Sequence, residues 1–309
     1  MKSSNLPARR NFLHHSALAI AAMMLPAGRI HQAFASASST FKAKLSAHIW
    51  VYASAFPPNW DATPVLEKVF SDLHSAGYDG VELMEVILRH DDAVEHLRRL
   101  TNQYQLPVSG ASYGAAMWDS SKHDEILADA TTVISRLGQL QAKTLGISVG
   151  DAGHAKTESE LDAQAKLLRT IMPICADHGI VLNLHNHTYE VKDNLHDLNG
   201  TLSRIPDIKL GPDLNWLVRG GIDPVWFVKT YGRQMVYMHI RDQYKDGTWT
   251  EYVGEGVTDF PAIAAALKDV GFRGRAAVEL AFEHGFVPKY PLAEDWKRSR
   301  EYVQSTFGW

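Results

Sequence analysis

One cysteine among 309 residues, Cys175, rules out an internal disulfide framework. It sits in "IMPICADHG", a helical pattern, and reads as a small buried hydrophobe. Past the N-terminal region no apolar run approaches the roughly 20 residues that a membrane-spanning helix requires, so no membrane span is expected. Basic runs are missing as well. The first 35 residues hold four basic and no acidic side chains, and beyond them 27 Lys and Arg face 35 Asp and Glu, a net charge of −8. An acidic chain of that kind lacks the footprint of a nucleic-acid groove, and no nucleic-acid partner is expected. No Gly-rich phosphate loop follows the first strand and no arginine cluster stands out in the linear sequence, which favours a non-phosphorylated ligand. With 45% hydrophobic and 21% charged residues the chain has the composition of a globular protein with one large core.

Residues 1–35 stand apart. Lys2, Arg9 and Arg10 precede the apolar run "SALAIAAMML", and small residues at Ala33 and Ala35 frame an A-x-A cleavage site. A charged n-region, a short h-region and such a site make a cleavable export signal. Arg9-Arg10 followed by "NFLHH" resembles a twin-arginine signal, which implies the twin-arginine export machinery as a partner and a periplasmic or secreted bacterial protein. A Ser-rich linker spans residues 36–43, and the folded domain is expected over 44–309.

Strand-like and helix-like patterns alternate through that domain. Strands are expected at 44–52, 78–84, 106–113, 142–150, 179–187, 208–214, 235–242 and 274–281. Helical periodicity fills the gaps, as in "VLEKVFSDLHSAG" and "ELDAQAKLLRTIMPICADHG", and Gly77, Gly179 and Gly271 stand where left-handed caps are wanted. Eight such units over about 270 residues predict a (β/α)8 TIM barrel, with a doubly wound α/β sheet as the competitor.

In a barrel the site lies at the C-terminal ends of the strands. "IVLNLHNHTYE" (180–190) therefore invites attention: side chains alternate along a strand, so His185 and His187 share a face and either could bind a metal. Glu82, Asp213, His239 and Glu279 also stand near ends of expected strands. Ligand-type residues delivered by five separate strands predict one metal cage.

The segments "AGYDGVELM", "LHNHTYE", "LGPDLNWLVRGGIDPVWFVKTYGRQMVYMHIRDQ" and "GEGVTDFPAIAAALKDVGFRGRAAVEL" resemble the sugar isomerase/epimerase superfamily of xylose-isomerase-like barrels, over about residues 44–305. The resemblance implies one divalent metal, manganese first, with zinc, iron, cobalt or magnesium as further choices. It places Asp213, His239 and Glu279 on the family's ligand positions from strands six, seven and eight. The strand-five position departs, since His185 in "HNH" stands where the epimerases carry Glu. That motif resembles the inosose-dehydratase and keto-sugar branch. The implied chemistry is proton abstraction α to the carbonyl of a keto-sugar or keto-glycoside, leading to isomerisation, epimerisation or elimination.

On this reading Glu279 is a ligand, a base or both, His187 an acid or a ligand, and Glu190 a carboxylate that could fold back towards the mouth. Arg241, with its neighbour Asp242, looks like the family's cation–acid pair. Substrate contacts are expected from Glu82, His187, Arg241, Glu255 and the aromatic rings of Trp118 and Trp249, because sugar CH faces stack on aromatic rings. Trp216 lies beside Asp213 and suits support of that ligand. Two other classes stand beside this reading: a metal-dependent hydrolase or endonuclease on the same barrel, and a non-catalytic sugar-binding protein. Homo-oligomerisation is compatible with the sequence.

Overall fold

The computed structural model describes residues 41–309. The expected export signal and most of its linker lie outside the described residues. Eight parallel strands form the sheet: β1 Leu45–His48, β2 Gly80–Met84, β3 Val108–Gly114, β4 Thr144–Ser148, β5 Val181–Leu184, β6 Lys209–Leu210, β7 His239–Ile240 and β8 Ala276–Glu279. They pair in the order β6-β5-β4-β3-β2-β1-β8-β7. Between the two ends of that order, parallel bridges Leu210↔Met235 and Asp213↔His239 close the ring. Every expected strand overlaps an observed one, and the fold is a TIM-barrel-like α/β fold. The strands are buried on both sides, as the strands of a closed parallel barrel must be, and so read as apolar runs.

Helices cover the outside. Helix Leu66–Ala76 buries Leu66, Val69, Phe70, Leu73 and Ala76, which share one stripe at three- and four-residue spacing. It stops at Gly77, whose φ of 82° suits a residue without a Cβ. Helix Glu158–Asp177 starts with a Thr157/Glu160 capping box and carries Cys175 fully buried. The last helix, Leu292–Phe307, packs on Leu66–Ala76. Its buried Trp296 donates from Nε1 to the Tyr52 hydroxyl at 2.9 Å, and the Tyr78 hydroxyl donates to the Trp296 carbonyl at 3.0 Å. Among the described residues no helix is long and apolar enough to cross a membrane.

Candidate active site

At the C-terminal mouth of the barrel lies a cavity of about 430 Å³. His48, Glu85, Ser148, His185, His187, His239, Arg241 and Glu279 line it, with Trp50, Trp216 and Trp249 as aromatic walls. Its polar floor follows from strand geometry, since each strand ends by delivering one inward side chain.

Local structure sets the floor. Asp213 caps the short helix Leu214–Arg219, its Oδ1 accepting from the Asn215 and Trp216 amides at 2.8 and 2.9 Å. Oδ2 is left without a partner in a fully buried position. Nδ1 of His185 and Nδ1 of His239 are likewise buried and without a hydrogen-bond partner. One ligand atom from each of His185, Asp213 and His239 lies within 4.8 Å of the other two. Buried polar atoms are almost always satisfied. Three neighbouring residues of ligand type, each with a buried atom lacking a hydrogen-bond partner, make a donor set that fits a divalent metal.

His239 is fixed from behind. Its Nε2 lies 2.7 Å from Oε2 of Glu82, which also accepts from the Tyr237 hydroxyl at 3.0 Å. Glu82 is fully buried and does not line the cavity. The expectation that it touches substrate is therefore corrected: β2 places it outside the cavity lining, where it orients a ligand histidine, a common second partner in metal sites. Oε2 of Glu279 approaches Nδ1 of His239 to 2.9 Å without hydrogen-bond alignment. Burial alone would lower the His239 pKa, but the Glu82 and Glu279 carboxylates outweigh it and hold the ring well above the ordinary imidazole range. His185 has no such carboxylate partner; burial and then the neighbouring His239 push it well below that range, so its imidazole is neutral.

Arg241 and Glu279 form the charged wall. Burial favours the neutral acid, yet the Arg241 guanidinium, with His48 and His239, holds Glu279 well below the usual carboxylate range. Arg241 clasps Oε1 of Glu279 and lies 3.7 Å from Oδ2 of Asp213. The guanidinium also faces the Trp249 ring at 4.9 Å and the Trp216 ring at 5.6 Å. Trp249 is anchored by its Nε1 donating to Oδ1 of Asn215 at 3.0 Å. Arg241, Glu279 and Trp249 share one mouth with His185, Asp213 and His239.

His187 also lines the cavity, stacked on Tyr189 and set edge-on to His185. Its Nδ1 lies 3.2 Å from Oγ of Ser148 and 3.1 Å from the Tyr189 hydroxyl. Burial pushes its pKa down to about 4. It lies outside the group of mutually close ligand-type atoms, which includes His185.

Four further expectations do not match the local geometry. Glu190 turns away from the mouth: Oε2 accepts the His187 amide at 2.6 Å in a capping box, and Oε1 accepts from Ser148 Oγ at 2.6 Å and the Val149 amide at 3.1 Å. It therefore fixes the β4 and β5 ends together rather than reaching substrate. Glu255 accepts from the Tyr244 hydroxyl at 2.5 Å and from Lys289 at 3.1 Å, outside the cavity lining. Trp118 packs edge-on against His154, 6.2 Å between centroids, on a flanking loop. Asp242 does not pair with Arg241 either; its carboxylate accepts the backbone amides of Gly254 and Gly256 at 3.0 and 2.9 Å.

Other residues escaped the sequence reading. His48 ends β1, with Nε2 2.9 Å from Ser112 Oγ and Nδ1 3.7 Å from Glu279. The rule that found His239 would have found it too. Glu85 follows β2 directly, and burial raises its pKa; no motif marks it.

Residues 70–306 match the model of the family described as xylose isomerase-like TIM barrel. An inosose dehydratase of Geobacillus kaustophilus (strain HTA426) is 22% identical over 272 residues, covering 77% of this chain and 86% of that protein. An inosose dehydratase of Klebsiella pneumoniae subsp. pneumoniae is 20% identical over 286 residues, covering 81% and 93%. Among solved structures, D-allulose 3-epimerase from Methylomonas sp. in complex with D-allulose superposes with a TM-score of 0.68 at 19% identity, covering 86% of this chain and 98% of that one. The 3-keto-D-glucoside 4-epimerase from E. coli gives 0.66 at 16% identity, covering 85% and 100%. With its closed eight-stranded barrel and a family match over most of its length, the chain belongs to the xylose isomerase-like TIM barrel family.

Proposed function

We propose that the protein is a divalent-metal enzyme that abstracts a proton α to the carbonyl of a keto-sugar or keto-glycoside, with loss of a neighbouring oxygen substituent as the outcome. The observation that carries this is the convergence of ligand-type atoms of His185, Asp213 and His239 beside the ionised Glu279. Those three side chains, with Glu279 adjacent, would hold the metal, manganese first. When bound, it supplies Lewis-acid stabilisation of negative charge developing on the substrate's carbonyl oxygen.

The chain's own groups divide the remaining work. Glu279 is kept ionised by Arg241 and is the base. Glu85 shares the cavity with its pKa raised by burial, and so is the group able to hold a proton for a departing oxygen. His187, kept neutral, faces substrate hydroxyls. The Trp50, Trp216 and Trp249 rings offer surfaces for sugar CH faces. With His185 in place of a strand-five carboxylate, Glu279 has no partner base across the substrate, and such one-sided chemistry suits elimination better than C3 epimerisation. The inosose dehydratase relatives and the "HNH" strand end point the same way. The acidic balance of the folded part weighs against an endonuclease.

The test is product NMR in deuterated water with a panel of keto-sugars and keto-glycosides. Loss of a substituent β to the carbonyl supports elimination. Deuterium at one carbon with every substituent retained means isomerisation or epimerisation instead. Saturable binding without solvent exchange anywhere makes the protein a sugar binder and sinks the proposal. We also propose periplasmic placement by the twin-arginine route, which rests on the Arg9-Arg10 segment alone.

A further inference from the structure

The opposite, N-terminal end of the barrel carries a cleft of about 540 Å³ between the starts of β4 and β5 and the segments leading into β7 and β8. We propose that it is a second ligand site, for a small polyanion of the phosphate type, built by Lys143, Arg233, Arg273 and Arg275. All four line the cleft, and no carboxylate does. Elsewhere among the described residues most arginines find carboxylates: Arg89, Arg99, Arg136, Arg204, Arg219, Arg241 and Arg298 do, while Arg98, Arg169 and Arg300 do not. Among the described residues none of the four cleft cations enters an ion pair. Beyond residue 35 acids outnumber bases by eight, so four unneutralised cations facing one concavity are not what an evenly mixed surface would give.

The geometry suits a compact anion rather than a flat surface. Concave sites of about 300–1,000 Å³ are the size of small-molecule pockets. Like charges in such a concavity repel until an anion joins them, and guanidinium groups fork onto phosphate oxygens in pairs. Arg273 is braced for this, its guanidinium 4.9 Å from the Phe41 ring centroid. The site is separate from the catalytic mouth: Thr144 at the start of β4 lines the cleft, whereas Ser148 at its end lines the cavity. Four residue steps of strand put about 13 Å between them. Arg233 lies 40 positions from Arg273 in the chain, which is why no cluster shows in the linear sequence.

Calorimetric titration of the full chain with inorganic phosphate and with pyrophosphate at low ionic strength tests this. Saturable binding is expected, tighter for pyrophosphate. The exposed pair Arg233→Ala and Arg273→Ala should each weaken it about tenfold, since each removes a charge-assisted contact. Melting in chloride should be unchanged, and keto-sugar turnover should not move. Absent saturable heat, or binding indifferent to these substitutions, overturns the proposal. So does co-sedimentation with anionic lipid vesicles that the substitutions abolish while pyrophosphate fails to bind, which would make the face a membrane contact.

Discussion

Glu82→Gln separates orientation of the metal site from its ligation. Glu82 touches no substrate space; it is fully buried with Oε2 on Nε2 of His239 at 2.7 Å and on the Tyr237 hydroxyl at 3.0 Å. The amide keeps the volume and removes the charge. What is lost is a charge-assisted hydrogen bond, about 1.5–3 kcal/mol. That amounts to about a tenfold to hundredfold loss of metal affinity, the range expected when the partner behind a ligand histidine is removed. Fold stability should hold, because the same change removes a buried carboxylate with one unpartnered oxygen, Oε1, and its desolvation cost. Manganese titration by calorimetry, paired with thermal melting of the metal-free variant, reads both quantities. Metal affinity equal to wild type would refute the assigned orienting role. A melting temperature that collapses in step with affinity would mean that Glu82 is a structural residue only.

Three further outcomes are expected. His185→Glu restores the strand-five carboxylate of the epimerases and should raise the affinity for magnesium and manganese relative to that for zinc and iron, read by competitive metal titration, because carboxylate is the harder donor; unchanged relative affinities count against His185 as a ligand. Asp295, fully buried with both oxygens unpartnered, has its pKa pushed up to about 8 by burial and then by Glu251. Its proton is held in the folded state and released on unfolding, so wild-type stability should fall as pH rises from about 4 to about 8. Asp295→Asn should flatten that fall and melt higher at pH 8, by on the order of 1–3 kcal/mol of stability; parallel melting curves across that range would remove the assignment. Arg9→Lys with Arg10→Lys should leave the protein unexported in a bacterial host, read by fractionation, and unaltered periplasmic yield would exclude the twin-arginine route.

How far the sequence carried each element depended on what fixes it. The strands were legible because a parallel barrel buries both faces of each strand, which leaves short, mostly apolar runs such as the "AAV" that leads into Glu279. Even β6 and β7, two residues long, fell inside their expected segments, because the flanking residues run on through single bridges to close the ring. The strand ends that carry Asp213, His239 and His185 were legible, and the structure gathers one ligand-type atom of each within 4.8 Å. A strand's sequence gives the side on which a residue lies but not what its side chain meets there, and at Glu82 the carboxylate is taken up by His239 and the Tyr237 hydroxyl. Glu190 failed for a different reason. The spacing from His187 to Glu190 that looked like a folded-back acid is also the spacing of a capping box, and the helix took the carboxylate. Trp118 and Glu255 sit on loops, where no periodicity fixes direction.

Arg241 and Asp242 show why adjacency in sequence can mislead about partnership in space. Neighbours along extended chain point to opposite sides. Arg241 turns inward to Glu279, Asp213 and the two tryptophans, whereas Asp242 turns back and accepts four backbone amides, those of Gln243, Gly254, Gly256 and Thr258. The loop can approach that carboxylate because residue 256 is glycine: a Cβ there would collide with the Gln243 carbonyl and the Asp242 side chain. At residue 254 a φ of 101° makes the same demand. "HIRDQ" and "GEG" thus form one device rather than two motifs. Asp242 neutralises nothing in the cavity; it fixes the loop at residues 253–258 beside it and leaves the Arg241 charge to the site. Because that charge is not spent on its neighbour, Glu279 stays ionised in a nearly dry wall of the barrel, and an ionised carboxylate is what abstraction of a carbon-bound proton demands.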